Sequence, residues 1–411
     1  MITYKKFVLQ NGLRVLHHHD TSTPLVCLNV LYDVGARDEE PDKTGFAHLF
    51  EHLMFGGSVN IPNYDEPLQR AGGENNAFTT NDITNYYLTL PAENCETAFW
   101  LESDRMLSLA FSEKSLEVQR NVVIEEFKQR YYNQPYGDVW LLLRPLAYKV
   151  HPYLWNTIGK EISHIENAKM EEVKAFFKKF YNPSNAILVI AGNIEFERAK
   201  ELSEKWFAPI APVQVKQRNL PQEPQQTEAR KLTVQRDVPL DAIYKAYHVG
   251  ARGDDDYHAM DMVSDILSNG KSARLYLELV KNKQLFSEIN AYMSGDLDKG
   301  LFIISGKLVK GVSMEVAEAA IEEELDKFKS NLLEERELTK IKNKLESILV
   351  FSEMNILNKA MNLATFELMG DANLINQETE KYLAVSAEKI QQVLTKYVQK
   401  ENCSTLYYMA N

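Results

Sequence analysis

Residues 24–37 read PLVCLNVLYDVGAR and residues 239–252 read PLDAIYKAYHVGAR. The offset between them is a constant 215 with no gap, and seven of the fourteen positions are identical: Pro, Leu, Tyr, Val, Gly, Ala and Arg. Agreement that dense along an ungapped offset marks an internal duplication, so the chain reads as two copies of one α+β unit of about 200 residues. Between the copies, Ala211-Pro212-Val213-Gln214 leads into Leu220-Pro221-Gln222-Glu223-Pro224-Gln225-Gln226. Proline, glutamine and charge without apolar periodicity mark a linker. The expected organisation is an N-terminal domain over 1–210, a linker over 211–228 and a degenerate C-terminal copy over 229–411. Each copy is expected to be an α/β sandwich, a sheet covered by helices.

Working outward from the first copy, Phe7 to Gln10 and Leu13 to Leu16 flank Asn11-Gly12, the strongest short hairpin signal. Leu25 to Tyr32 and Ala186 to Ala191 are strand-like apolar runs. Helical spacing dominates from about Lys43 to Gln69 and from Cys95 to Leu109. Ser112 is placed to cap a helix running to about Tyr131, with Glu113 in its first turn. Another helix runs near Met170 to Tyr181 and stops at Asn182-Pro183.

Composition narrows the function classes. The 411 residues exceed what one ordinary core holds. A net charge of −12 argues against a nucleic-acid partner, because phosphate contacts need clustered Lys and Arg. No apolar run approaches the ~20 residues that cross a bilayer, and Met1 to Phe7 lacks a signal-peptide pattern. The expected location is therefore cytoplasmic. Three scattered cysteines, Cys27, Cys95 and Cys403, predict buried thiols rather than a disulfide framework. With no CxxC pair, any metal site must use His and carboxylates.

Such a site is legible in Gly45-Phe46-Ala47-His48-Leu49-Phe50-Glu51-His52-Leu53-Met54-Phe55-Gly56-Gly57. On a helix, residues four apart lie on one face a turn apart, so the His48 and His52 rings can converge on one ion. Glu51 falls between them angularly, able to reach a metal-activated water without ligating. Two imidazoles and a carboxylate with one open position suit zinc, which lowers the pKa of water towards ~7. Glu51 would take the proton and later deliver it to a leaving amine. This is the inverted zincin pattern H-x-x-E-H. The same spacing also occurs in ordinary surface or core histidines. The repeat supplies an internal contrast: the 215 offset sets His48, Glu51 and His52 opposite Val263, Ile266 and Leu267. His17-His18-His19 reads as a strand end with alternate rings in solvent rather than as a second metal site.

The surrounding residues resemble the insulinase/pitrilysin family, in particular its short, mitochondrial-processing-peptidase-like members. The resemblance runs through VGARDE, GFAHLFEHLMFGGS, GGENNAFTTNDITNYY, VVIEE, HPY at 151–153, TIG at 157–159 and YNPSNAILVIAGNI, in order. It implies a zinc-dependent endopeptidase with one Zn2+ per chain. It also implies a third ligand, a glutamate on a separate helix, which the valines of Arg120-Asn121-Val122-Val123-Ile124-Glu125-Glu126-Phe127 align with Glu126; Glu125 is the alternative. Gln119 stands where the family often carries a further glutamate. It shares the face of Glu126 and can orient a ligand but brings no charge. Asn75 to Thr79 resembles the family's substrate-binding edge strand, with Asn76, Ala77 and Phe78 as candidate peptide contacts, Phe78 the one more expected to pack in the core.

The resemblance also implies an arginine and a tyrosine, seven apart, supplied by the second half. Here Val280 and Ser287 occupy those places, with Arg274, Lys281 or Tyr292 as substitutes under another alignment. The expected partner is therefore a homologous subunit that brings the Arg/Tyr pair, forming a heterodimer, with a homodimer as alternative. The substrates would be peptides or unfolded segments cut inside a two-chain chamber. The competing reading is a non-catalytic structural or peptide-clamp subunit of the same family.

Overall fold

The computed structural model describes residues 1–214 and 218–411. The positions between them, inside the predicted linker 211–228, lie outside the described residues. The chain forms two compact units, the first from Met1–Lys128, Trp155–Leu220 and Val350–Gln377, the second from Gln129–Leu154, Pro221–Leu349 and Glu378–Asn411.

In the first unit the strands are β1 (Lys5–Val8), β2 (Arg14–His19), β3 (Leu25–Tyr32), β4 (Glu74–Thr79), β5 (Thr84–Pro91) and β6 (Ala186–Gly192). They form one sheet in the order β1-β2-β6-β3-β5-β4, with β2 and β6 parallel and the other pairs antiparallel. The apolar run of β6 is buried at every position, as its interior place between β2 and β3 requires. The predicted Asn11-Gly12 hairpin joins β1 to β2. Gly12 takes φ +88°, a conformation that disfavours side chains, and its N–H donates to Leu9 O at 2.9 Å.

The second unit contains β7 (Arg230–Arg236), β8 (Ala242–His248), β9 (Phe286–Met293), β10 (Leu301–Leu308) and β11 (Cys403–Ala410). Its order β7-β11-β8-β10-β9 repeats β2-β6-β3-β5-β4, one parallel pair followed by three antiparallel ones. The 215 offset holds in space. Tyr32 and Tyr247 are both buried and face Ala186 and Cys403 on the equivalent strands β6 and β11.

One face of each sheet is covered by a helix from the other half of the sequence. In the first unit the Ile356–Leu368 helix lays Ile356, Ala360, Leu363 and Ala364 against Cys27, Leu31, Ile187 and Val189. It is tied down by Lys359 on Asp20 and by Lys6 on Glu367, each at 2.6 Å. In the second unit the Val139–Ala147 helix lays Val139, Leu143 and Ala147 against Ala242, Ala246, Ile303 and Leu406. Cys27 and Leu31 are the offset equivalents of Ala242 and Ala246, so the same sheet face is capped in both units.

Two local expectations change. The helical stretch from Lys43 to Gln69 is two helices, Phe46–Leu53 and Asp65–Arg70, because Gly56, Gly57 and Pro62 interrupt the backbone ladder between them. His17 and His18 do not alternate with solvent: both are buried on β2, bonded to the carbonyls of Ile194 at 2.8 Å and Thr3 at 2.7 Å, and His19 is the exposed one. An interior strand with both faces covered leaves their rings no water to reach. All three cysteines are free and buried. Among the described residues, no helix is long and apolar enough to cross a membrane.

Candidate metal centre

The Phe46–Leu53 helix starts at Gly45, whose φ of +90° and close approach to the Ile158 carbonyl (2.7 Å from a hypothetical Cβ) exclude a side chain there. Its first turn is closed by Glu39, whose carboxylate accepts from Gly45 N–H and Ala47 N–H at 2.8 Å each. Burial pushes the Glu39 carboxyl well above its usual range, against the pull of those two N–H groups. Phe50 faces inward, its ring stacked on Phe176 at 5.2 Å and on Tyr181 at 5.0 Å. With the apolar face fixed, the rings of His48 and His52 come together with centroids 4.8 Å apart.

The second element is the Glu113–Phe127 helix, capped as expected by Ser112 Oγ, which accepts from Ser115 N–H at 3.0 Å. It places Glu126 Oε2 3.5 Å from His48 Nε2 and 3.4 Å from His52 Nε2. Ligands held at ~2.1 Å around a tetrahedral zinc stand about 3.4 Å from one another, so this donor set has zinc-like spacing. His48 is nearly closed off, while His52 and Glu126 keep 25% and 28% of their side-chain surface, which leaves one side of the cluster accessible. Glu125 points elsewhere: it is 61% exposed and pairs with Lys128 at 2.7 Å. Among the described residues, His48, His52 and Glu126 form the one group of three or more His, Cys, Asp or Glu spaced to hold a metal.

Glu51 is held from across the helix by β4, with Thr79 Oγ1 donating to Glu51 Oε2 at 2.6 Å. β4 is the edge of its sheet. The turn bond from Thr80 N–H to Ile83 O, 2.8 Å, fixes the ladder phase. Antiparallel pairs alternate, so Phe78 and Asn76 bond towards β5, while Asn75, Ala77 and Thr79 turn their N–H and C=O groups to the open edge. In keeping with this, Ala77 N–H is met by the Asn76 side chain at 2.8 Å and not by β5. Asn76 is exposed, Ala77 is half-buried, and Phe78 packs against the cluster under the Ile356–Leu368 helix. Gln119 is half-buried on the ligand helix, its amide nitrogen 4.0 Å from where a Cβ on Gly56 would stand.

In the second unit the offset positions Val263, Ile266 and Leu267 lie on the Tyr257–Ser268 helix and are all buried. Val280 packs against the apolar core, and the exposed Ser287 donates to Lys307 O at 3.1 Å. Of the substitutes, Arg274 is engaged by Glu337 at 2.6 Å, Lys281 is exposed, and Tyr292 lies on the edge strand β9. Sequence reasoning missed the roles of Glu39 and Thr79, although both sit in quoted motifs. It also missed a buried ion pair, Glu102 with Arg105 at 2.5 Å, walled by Phe55, Tyr64 and Tyr86. A single sequence shows no partner for any of these.

Residues 14–139 match the model of the insulinase family, peptidase family M16, and residues 167–345 match the model of the peptidase M16 inactive domain. The chain belongs to the M16 insulinase family. The inactive-domain match begins ahead of the linker and spans Val263, Ile266 and Leu267, the offset positions of His48, Glu51 and His52. Among M16 relatives, the zinc protease PqqE of Helicobacter pylori is 29% identical over 410 residues, 98% of this chain and 92% of that protein. The probable mitochondrial-processing peptidase subunit beta of Arabidopsis thaliana is 24% identical over 354 residues, 83% of this chain and 66% of that protein. The crystal structure of a protease from Helicobacter pylori superposes with a TM-score of 0.94 at 28% identity, covering 100% of both chains. The two sheet-plus-helix halves described above are thus an M16 architecture, and this M16 chain has relatives named as zinc proteases.

Proposed function

We propose that this M16 chain is a zinc-dependent endopeptidase of extended or unfolded peptide segments, with His48, His52 and Glu126 holding one zinc per chain and Glu51 as general base. The observation that carries the reading is the convergence of two imidazole nitrogens on one Glu126 oxygen at 3.4 and 3.5 Å, beside a carboxylate fixed by an edge strand. Zinc would supply Lewis-acid polarisation of water and of the scissile carbonyl. The outward backbone groups of Asn75, Ala77 and Thr79 offer an extended peptide a strand to pair with, so binding reads main chain more than side chains. Glu51 takes the proton of the attacking water and returns it to the departing amine. Gln119, on the helix of Glu126, orients the site by hydrogen bonding without adding charge.

Val280 and Ser287 cannot stabilise a developing oxyanion as Arg and Tyr do. The site is therefore completed by a homologous partner subunit that brings that pair, and the substrate is enclosed by two chains. The test is zinc analysis with cleavage of a quenched fluorescent peptide mixture, for the chain alone and with the homologous subunit that accompanies it in its cells. Stoichiometric zinc, cleavage only in the mixture, and a Glu51→Gln variant that keeps zinc but loses turnover are the expected results. Zinc-free protein without cleavage in either sample overturns the peptidase reading. Full activity of the chain alone overturns the heterodimer.

A further inference from the structure

We infer that Thr79 is the positioning residue of the general base, so that one strand sets both the register of the substrate and the aim of Glu51. This rests on the peptidase reading above. Thr79 is the last residue of β4, and it does two things at once. Its backbone N–H and C=O turn to the open edge, in phase with Asn75 and Ala77. Its side chain lies on the face of the metal helix, where the hydroxyl donates to Glu51 Oε2 at 2.6 Å. Asn75 and Ala77 share that face by strand alternation, but neither reaches the carboxylate.

The chemistry of the pair favours a hydroxyl at this place. A glutamate side chain has three rotatable bonds, and the Phe46–Leu53 helix by itself fixes none of them beyond the first turn of the rotor. A charge-assisted O–H···O⁻ bond of this length selects one carboxylate orientation. The strand end is itself rigid. Thr80 Oγ1 accepts from Asp82 N–H and Ile83 N–H at 3.1 and 3.0 Å, locking the turn to β5. An extended peptide docked on β4 is therefore referenced to the same backbone that aims the base. General-base efficiency depends on geometry held to a fraction of an ångström.

The test compares Thr79→Val, which keeps the volume and the β-branch, with Thr79→Ser, which keeps the hydroxyl, in the complex that cleaves peptides. Thr79→Val should retain stoichiometric zinc and an unchanged KM, because the edge backbone is untouched, while kcat falls about 10- to 100-fold. Thr79→Ser should restore kcat to within about threefold of wild type. A crystal structure of Thr79→Val should show the Glu51 carboxylate spread over more than one rotamer, a readout independent of turnover. Wild-type kcat in Thr79→Val overturns the inference, as does a loss seen mainly in KM, which would make Thr79 a substrate contact alone. A Thr79→Val protein that fails to fold while Thr79→Ser folds and matches Thr79→Ala in kcat also overturns it. Wild-type protein with full zinc but no cleavage instead defeats the peptidase reading on which it stands.

Discussion

Ala47 N–H donates to the buried carboxylate of Glu39 at 2.8 Å, one residue ahead of the His48 imidazole. Together with the bond from Gly45 N–H, this satisfies two of the backbone donors that every helix start leaves open. A single carboxylate thus anchors the end of the helix from which both candidate histidine ligands project. Glu39→Ala should lower stability by about 1–2 kcal/mol and weaken zinc retention while leaving His48 and His52 in place. Urea unfolding and zinc titration of the purified variant check both effects.

The ligand assignment separates adjacent glutamates. His52→Ala and Glu126→Gln should each abolish stoichiometric zinc, whereas Glu125→Gln, which loses only a surface pair with Lys128, should keep zinc and turnover. A chelator should stop cleavage by the wild-type protein, and added zinc should restore it. Metal analysis after gel filtration decides between Glu126 and Glu125.

Asp20 is held well below the usual carboxylate range, first by the Lys359 ammonium and then by the Ser22 hydroxyl. Its folded pKa lies below its unfolded one, so the pair's stabilisation is fully present at neutral pH and fades as pH falls below about 4. Asp20→Asn should cost about 1–2 kcal/mol at pH 7, with the gap to wild type closing in acid. Denaturant midpoints at pH 7, 5 and 3 follow it. A gap that stays constant across this range would remove the Lys359 anchor from the account.

Arg105 and Glu102 are buried at 1% and 0% side-chain exposure, and Tyr64 also donates to Glu102 at 2.6 Å. Removing one partner strands a charge in an apolar cage. Arg105→Met should therefore destabilise by about 3–5 kcal/mol, and the double variant with Glu102→Gln should recover part of that loss. Thermal unfolding of the two single variants and the double variant measures the coupling.

Much of the candidate site was legible because its logic is local. His48, Glu51 and His52 lie within one and a half helical turns, where 3.6-residue geometry alone sets their faces. Glu126 needed the family pattern, since a spacing of 74 positions from His52 carries no geometric information. Thr79 and Glu39 were visible as residues but not as partners. A hydrogen bond between elements depends on how strand and helix pack, and nothing in NNAFT or VGARDE states which carboxylate or N–H each will meet.

The sequence by itself determined the duplicated fold, through the 215 offset, and the convergent imidazoles, through helical spacing. Only the tertiary structure decided which helix covers which sheet. Ile356–Leu368 and Val139–Ala147 each present an apolar stripe of alanine, leucine and branched residues, and the two sheets offer equivalent faces built around Cys27 and Leu31 or Ala242 and Ala246. Amphipathic periodicity says that such a helix must bury a face, not where. The choice rests on long-range polar matches made only in the folded chain: Lys359 with Asp20 and Glu367 with Lys6 in the first unit, and Asp138 with Arg236 and Tyr408 in the second.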